Sequence, residues 1–213
     1  MSAVTGSDAR TGAGADAHGE LRRLHARLVE DAQRHGLLDV AYRVVDSPVG
    51  RLLVAAGERG VLRVAFAVQD HDAALAELAA RVSPRVLEGG ARLDPVLRQL
   101  DEYFAGRRRT FDVPLDLRLL TGFRREVVQT LPRVPYGATA SYAAVAALAG
   151  RPAAVRAVGT ACARNPVPLL LPCHRVVRSD GSPGGYAGGA TAKAALLALE
   201  RASAPSRPDG AQA

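Results

Sequence analysis

Leucines at 21, 24 and 28 recur at helical spacing through "GELRRLHARLVEDAQRHG", and a glycine closes the run, so the pattern predicts a helix over residues 19–36. The period then drops to that of a strand. "AYRVVDS", "RLLVAAG" and "VLRVAFA", separated by "PVG" and "ERG", predict an antiparallel meander. Helical spacing returns in "DHDAALAELAARV" and "LDPVLRQLDEYFAG", and "RRRTFDVPLDL" predicts a further strand. Residues 40–117 thus read as one α+β unit. From Thr121 the pattern is mainly helical: "TGFRREVVQTLPRVPYG" is a helix stopped by proline, and "SYAAVAALAG" and "RPAAVRAVGTACARN" are two short helices broken by Gly-Arg-Pro. Ser141 is placed to cap the first and Pro152 to open the second, which gives the outline of a helix-turn-helix. The small and polar flanks, residues 1–18 and 202–213, predict disordered tails.

No apolar run approaches the roughly 18 residues that span a bilayer, and the start "MSAVTGSDAR" lacks the basic-then-apolar order of a signal peptide, so a cytoplasmic protein is expected. Cys162 and Cys173 fit neither a disulfide framework nor a CxxC-type zinc site; both read as free thiols. The net charge of +7 matters once it is located. Residues 1–120 carry 17 Lys+Arg against 17 Asp+Glu, whereas residues 121–213 carry 11 against 4. A polyanion facing the second half would explain that asymmetry, as would simple solubility. The second helix of the pair is unusual in what it lacks. Ala153, Ala154, Ala157, Gly159 and Ala161 are small, and Arg156 is the one long polar side chain before Arg164. A helix that reads bases in the major groove carries several long polar side chains; this one suits the close backbone approach of a narrower groove. Helix pairs of this outline also occur in proteins that never touch DNA.

The stretch "NPVPLLLPCHRVV" sets a cysteine beside a histidine after three leucines, and predicts a buried strand ended by Pro172 with Cys173 emerging at its rim. A cysteine attacks as thiolate, so His174 is the candidate base that lowers the thiol from about 8.5. Neighbours in an extended segment point to opposite faces, so a turn or a bridging water has to bring imidazole and sulfur together. A small buried hydrophobe is the competing account of Cys173. "GSPGGYAGG", with Tyr186 inside it, is either a surface loop or a wall of backbone N–H groups around a flat ligand. Glu200, near the end of the last helical pattern, is either a solvated residue or the carboxylate that orients His174.

"RAVGTACARNPVPLLLPCHRVV", followed by "GGYAGG" and a terminal helix ending in Glu, resembles the O6-alkylguanine-DNA alkyltransferases. The resemblance runs from Phe123 to Glu200 and, more weakly, through residues 40–117. It implies an α+β protein with a ribonuclease-H-like domain over 40–117, followed over 121–201 by a mainly helical, winged-helix-like DNA-binding domain. It also implies a monomer that enters double-stranded DNA from the minor groove, flips out O6-alkylguanine and moves the alkyl group irreversibly to its own cysteine, and it leaves open whether O4-alkylthymine is a second substrate. By that resemblance Cys173 is the acceptor, His174 a base acting through water, Glu200 its orienting carboxylate, and Asn165 the hinge. Tyr142 protonates the leaving guanine, and Arg156 fills the place of the extruded base. Ser141, Ala157, Gly159 and Arg164 are further DNA contacts. Tyr186, Val176, Ala187, Gly188 and Pro168 line the lesion pocket, with the N–H groups of Val176 and Ala187 toward guanine's oxygen.

No cofactor is implied, and no metal, because the cysteines and histidines of zinc-bearing relatives are missing. The chain departs from the family in its last helix. Lys193, Ala194, Ala195, Leu196 and Leu197 stand where relatives often have Lys-Glu-Trp-Leu-Leu, which predicts a looser back wall. Two other classes remain: a non-catalytic helix-turn-helix protein that binds DNA or lesions, and a Cys-His hydrolase.

Overall fold

A computed structural model describes residues 9–204. Helix α1 spans Ala9–Arg34 and so begins before residue 19. The backbone of residues 9–18, expected as tail, is helical, since each residue added to an existing helix gains one bond and alanine is the best helix former. Residues 1–8 and 205–213 of the two expected tails lie outside the described residues.

Strands β1 (Val40–Val45), β2 (Leu52–Gly57) and β3 (Gly60–Phe66) form the expected antiparallel meander. A fourth strand, β4 (Val86–Glu88), joins β1 in parallel to give the order β3-β2-β1-β4. Three residues are too few to show a period, so β4 was not legible. The strand expected in "RRRTFDVPLDL" does not form. A single bridge ties Leu115 to Val61 instead, because Pro114 cannot donate to a ladder and contributes only its carbonyl, to Val61 N–H at 2.9 Å.

Alternation in the strands separates two cores. Leu53, Ala55, Leu62 and Ala65 pack with Ala74 and Leu78 of α2 (His71–Arg81). Leu52, Val54, Ala56 and Phe66 pack with Val29 of α1 and with Val96 and Leu100 of α3 (Asp94–Phe104). This second core continues without a break into the C-terminal unit, where it includes Val127, Val145, Leu196 and Cys173.

The C-terminal unit contains α4 (Gly122–Thr130), β5 (Ala140–Ser141), α5 (Tyr142–Leu148), α6 (Val155–Ala163), β6 (Val176–Val177) and α7 (Gly189–Ser203). Helices α5 and α6 are the expected pair. Ser141 caps α5 by accepting Ala144 N–H at 3.1 Å. Helix α6 starts at Val155 rather than Pro152, because residues 151–154 close a turn through Ala154 N–H to Arg151 O at 2.9 Å.

The strand predicted through the three leucines is absent. Prolines at 166, 168 and 172 remove the donors a ladder needs, and the segment folds into a tight loop with Leu169 at φ 74° and Leu171 N–H on Val167 O. The leucines are nonetheless buried. Pairing of Ala140 and Ser141 with Val176 and Val177 then sets the start of α5 beside the cysteine. Among the described residues no helix is long and apolar enough to cross a membrane.

Candidate active site

Cys173 opens a single 3-10 turn, Cys173–Arg175, closed by Val176 N–H on Cys173 O. That turn directs His174 toward Glu200, and no direct bond joins its imidazole to the sulfur among the described residues, so the bridging water of the expectation is still required. The turn also commits the Val176 N–H expected to face guanine. The thiol does not emerge at a rim: Cys173 is 2% exposed and belongs to the core. Asn165 Nδ2 donates to Cys173 Sγ at 3.2 Å and to Leu171 O at 2.8 Å, while its Oδ1 accepts Val167 N–H at 3.1 Å. One amide thus fixes both ends of the proline loop, and Asn165 is the tie between α6 and the cysteine.

Behind the turn, Glu200 is fully buried and multiply bonded. His174 Nε2 donates to its Oε1 at 2.8 Å. Arg175 reaches both carboxylate oxygens, with Nε on Oε2 at 2.9 Å. Gly137 N–H donates to Oε2 at 3.0 Å. Gly137 has φ 77°, and a Cβ there would stand 2.8 Å from Ala204 Cβ, so a side chain would displace this donor.

Burial works against ionisation of Glu200, yet the bonds from His174 and Arg175 prevail and hold its carboxyl at about 2. An ionised Glu200 keeps the His174 proton on Nε2, leaving Nδ1, which is buried and without a partner among the described residues, as the basic nitrogen. Burial lowers the His174 pKa against the pull of Glu200, so the imidazole is neutral and able to accept a proton.

The expectation of a lowered thiol pKa is overturned. Burial pushes Cys173 up to about 11, against the Asn165 bond and the charge of Lys193, so the resting sulfur carries its proton. Cys162, also buried, is pushed up further.

Around the sulfur, Tyr186 stands edge-on to Phe66 at 5.4 Å and to His174 at 6.1 Å between centroids. Gly188 packs on the Phe66 ring, Ala187 is half-buried and Pro168 buried. Tyr142 lies against Gly159 of α6 and Gly184 of the glycine-rich loop; a Cβ on Gly184, which has φ 62°, would come within 2.6 Å of the phenol oxygen. Burial raises the Tyr142 pKa, which keeps its proton available. Arg156 and Arg164 are exposed, and Ala157 half-buried. Ala194 and Ala195, at the departure from the family's last helix, are exposed on the outer face of α7.

Three residues of the site escaped the sequence. Tyr103, from α3 of the N-terminal unit, donates its buried O–H to Glu200 Oε1 at 2.8 Å. Arg175 supplies the counter-charge of Glu200. Lys193 is fully buried, with Nζ on Val176 O at 2.6 Å. It is the one lysine in a chain with 28 Lys+Arg, a signal that was available in the composition. Tyr103 gave none, since aromatic residues on an amphipathic helix usually only pack. Tyr103→Phe is expected to cost about 1–3 kcal/mol in urea unfolding, the loss of one buried bond to a charged acceptor; a loss below about 0.5 kcal/mol would exclude that role.

Residues 40–117 match the family model described as the ribonuclease-like domain of 6-O-methylguanine DNA methyltransferase, and residues 122–202 match the one described as its DNA binding domain. A methylated-DNA–protein-cysteine methyltransferase of Mycolicibacterium paratuberculosis is 39% identical over 166 residues, covering 78% of this chain and 95% of the relative. The constitutive enzyme of Bacillus subtilis is 40% identical over 163 residues, covering 76% and 96%. The crystal structure of Mycobacterium tuberculosis OGT in complex with DNA superposes with a TM-score of 0.67 at 38% identity, covering 78% and 96%.

Proposed function

The chain belongs to the 6-O-methylguanine DNA methyltransferase family, and we propose that Cys173 is the sulfur on which its reaction ends. It is a DNA-binding enzyme that repairs DNA by direct reversal, through alkyl transfer to a cysteine. One observation carries the assignment to Cys173: its sulfur is held by Asn165, while the next residue, His174, is bonded to a buried, ionised Glu200.

The substrate is O6-alkylguanine. Extrusion from the stack is needed because sulfur cannot approach the alkyl carbon in line inside a duplex. The minor groove is the entry, supported by the small-residue face of α6 and by exposed Arg156 at its start. The extruded base lies against Tyr186, with Ala187 N–H toward its oxygen.

His174 Nδ1 takes the thiol proton through a water, the sulfur attacks the alkyl carbon, and a C–S bond forms as the C–O6 bond breaks. Tyr142 gives its proton to the departing guanine, which otherwise leaves as a poor anion. Lys193 and the Asn165 amide stabilise negative charge on sulfur while it lasts. Because the resting thiol is protonated, the nucleophile forms when the base is in place and is spared adventitious alkylation. The product is a thioether, which water does not hydrolyse under mild conditions, so each molecule acts once. The functional units are residues 40–117 and 121–201, and the protein acts as a cytoplasmic monomer.

The test is to incubate the protein with a duplex carrying one O6-methylguanine and digest the DNA to nucleosides. One guanine should appear for each lesion lost, up to one per protein molecule; continued turnover would refute the single-use reading. Arg156→Ala should slow transfer from duplex roughly tenfold to a hundredfold, the cost of an unfilled gap in the stack, with transfer from a free O6-alkylguanine base unchanged. Equal slowing of both would remove Arg156 from base extrusion.

A further inference from the structure

A cavity of about 330 Å³ lies where the two units meet and is lined by none of Cys173, His174, Tyr186 or Arg156. Its wall carries four guanidinium groups from four elements: Arg63 of β3, Arg81 of α2, Arg124 of α4, and Arg164 at the end of α6. The one acid among its lining residues is Glu77, which is shared between Arg63 at 3.2 Å and Arg81 at 2.7 Å. Arg124 and Arg164 form no ion pair among the described residues. Arg63 is only 16% exposed, and its Nε is buried without a hydrogen-bond partner among the described residues. Arg81 is further held by its bond to Leu119 O at 3.0 Å.

Four cations and one carboxylate around a concave space form a receptor for a compact anion of more than one charge. Guanidinium forks bind phosphate through paired N–H donors, and donors from several elements suit a tetrahedral group better than a planar carboxylate. The volume falls at the lower end of the roughly 300–1,000 Å³ typical of ligand pockets. We infer that this interdomain cavity is a phosphate-binding site, taking either a phosphodiester of the nucleic acid or a free phosphate.

The site adjoins the active-site hinge. Asn165 lines it, and β3 donates Val64 N–H to Pro166 O at 2.8 Å. A bound phosphate therefore bridges the N-terminal unit to the residue that holds Cys173 Sγ.

The test titrates inorganic phosphate and pyrophosphate into the full chain by calorimetry, with chloride holding the ionic strength constant. Saturable binding at one site is expected, weakened roughly tenfold or more by Arg63→Gln and by Arg124→Gln, with transfer from a free O6-alkylguanine base to Cys173 unchanged in both. If the natural ligand is a DNA phosphate, pyrophosphate competes with duplex, and Arg124→Gln weakens duplex binding and lowers its salt slope by about one. If it is a free phosphate, pyrophosphate binds equally to the free and the DNA-bound protein. Should Arg63→Gln fail to fold, Arg124→Gln decides alone. No saturable binding above the chloride control, or binding that ignores both substitutions, overturns the site, whatever Cys173 does.

Discussion

Cys173→Ser is expected to fold, to bind duplex DNA, and to take up no alkyl group at all. Oxygen replaces sulfur at nearly the same volume, and a serine hydroxyl can still accept from Asn165 Nδ2, which now lies 3.2 Å from sulfur. The expected change in stability is therefore within about 1 kcal/mol. Reactivity is a different matter. A thiol pushed up to about 11 remains within reach of a neutral imidazole helped by Lys193, whereas an alcohol proton is several orders of magnitude harder to remove and the resulting nucleophile is poorer. Cys162→Ser supplies the contrast, because Cys162 lacks the Asn165 bond and burial pushes it further from ionisation. Full transfer is expected there. Labelled methyl groups on the DNA, followed into protein, measure both; residual transfer in Cys173→Ser, or loss of it in Cys162→Ser, would reassign the acceptor.

Glu200→Gln is expected to damage both stability and chemistry. The carboxylate receives bonds from Tyr103, His174, Arg175 and Gly137, and removing its charge leaves the Arg175 guanidinium buried without a counter-ion. Breaking a buried pair in this way costs about 3–5 kcal/mol. Transfer should slow by roughly 10²–10⁴, because an amide neither fixes the His174 proton on Nε2 nor stabilises the imidazolium that forms. Urea unfolding and single-turnover rates read the two effects separately.

The pH dependence follows from the same carboxylate. Its folded pKa of about 2 lies below the ordinary 4.5, so its contribution to stability is complete above about 4.5 and is lost as pH falls from there toward 2. His174, lowered from 6.5, adds loss in the same direction below about 6.5. The wild-type urea midpoint should therefore drop on acidification, and the drop should be shallower in Glu200→Gln. An equal drop in both would place the acid-sensitive group elsewhere.

The meander, the helix pair and the pairing of His174 with Glu200 were legible: the first two rest on local signals, period and capping by Ser141, and the third on the family resemblance. In the loop through the leucines two signals differ: hydrophobicity reports burial, while the prolines at 166, 168 and 172 report that no ladder is available. The charge state of Cys173 is not legible in the sequence, because a neighbouring base shows there and the desolvation of a core position does not. Tyr103 was invisible for another reason: its partner lies at the far end of the chain, and a single tyrosine on an amphipathic helix looks like packing.

The most direct measurement is the mass of two tryptic peptides after reaction with duplex DNA containing one O6-methylguanine. Cleavage after Arg164 and Arg175 isolates Asn165–Arg175 with Cys173, and cleavage after Arg156 and Arg164 isolates Ala157–Arg164 with Cys162. The account predicts one added methylene on the first peptide, in proportion to the lesions lost, and none on the second. Lesions lost with the Cys173 peptide unmodified, or with the methylene on Cys162, would contradict it.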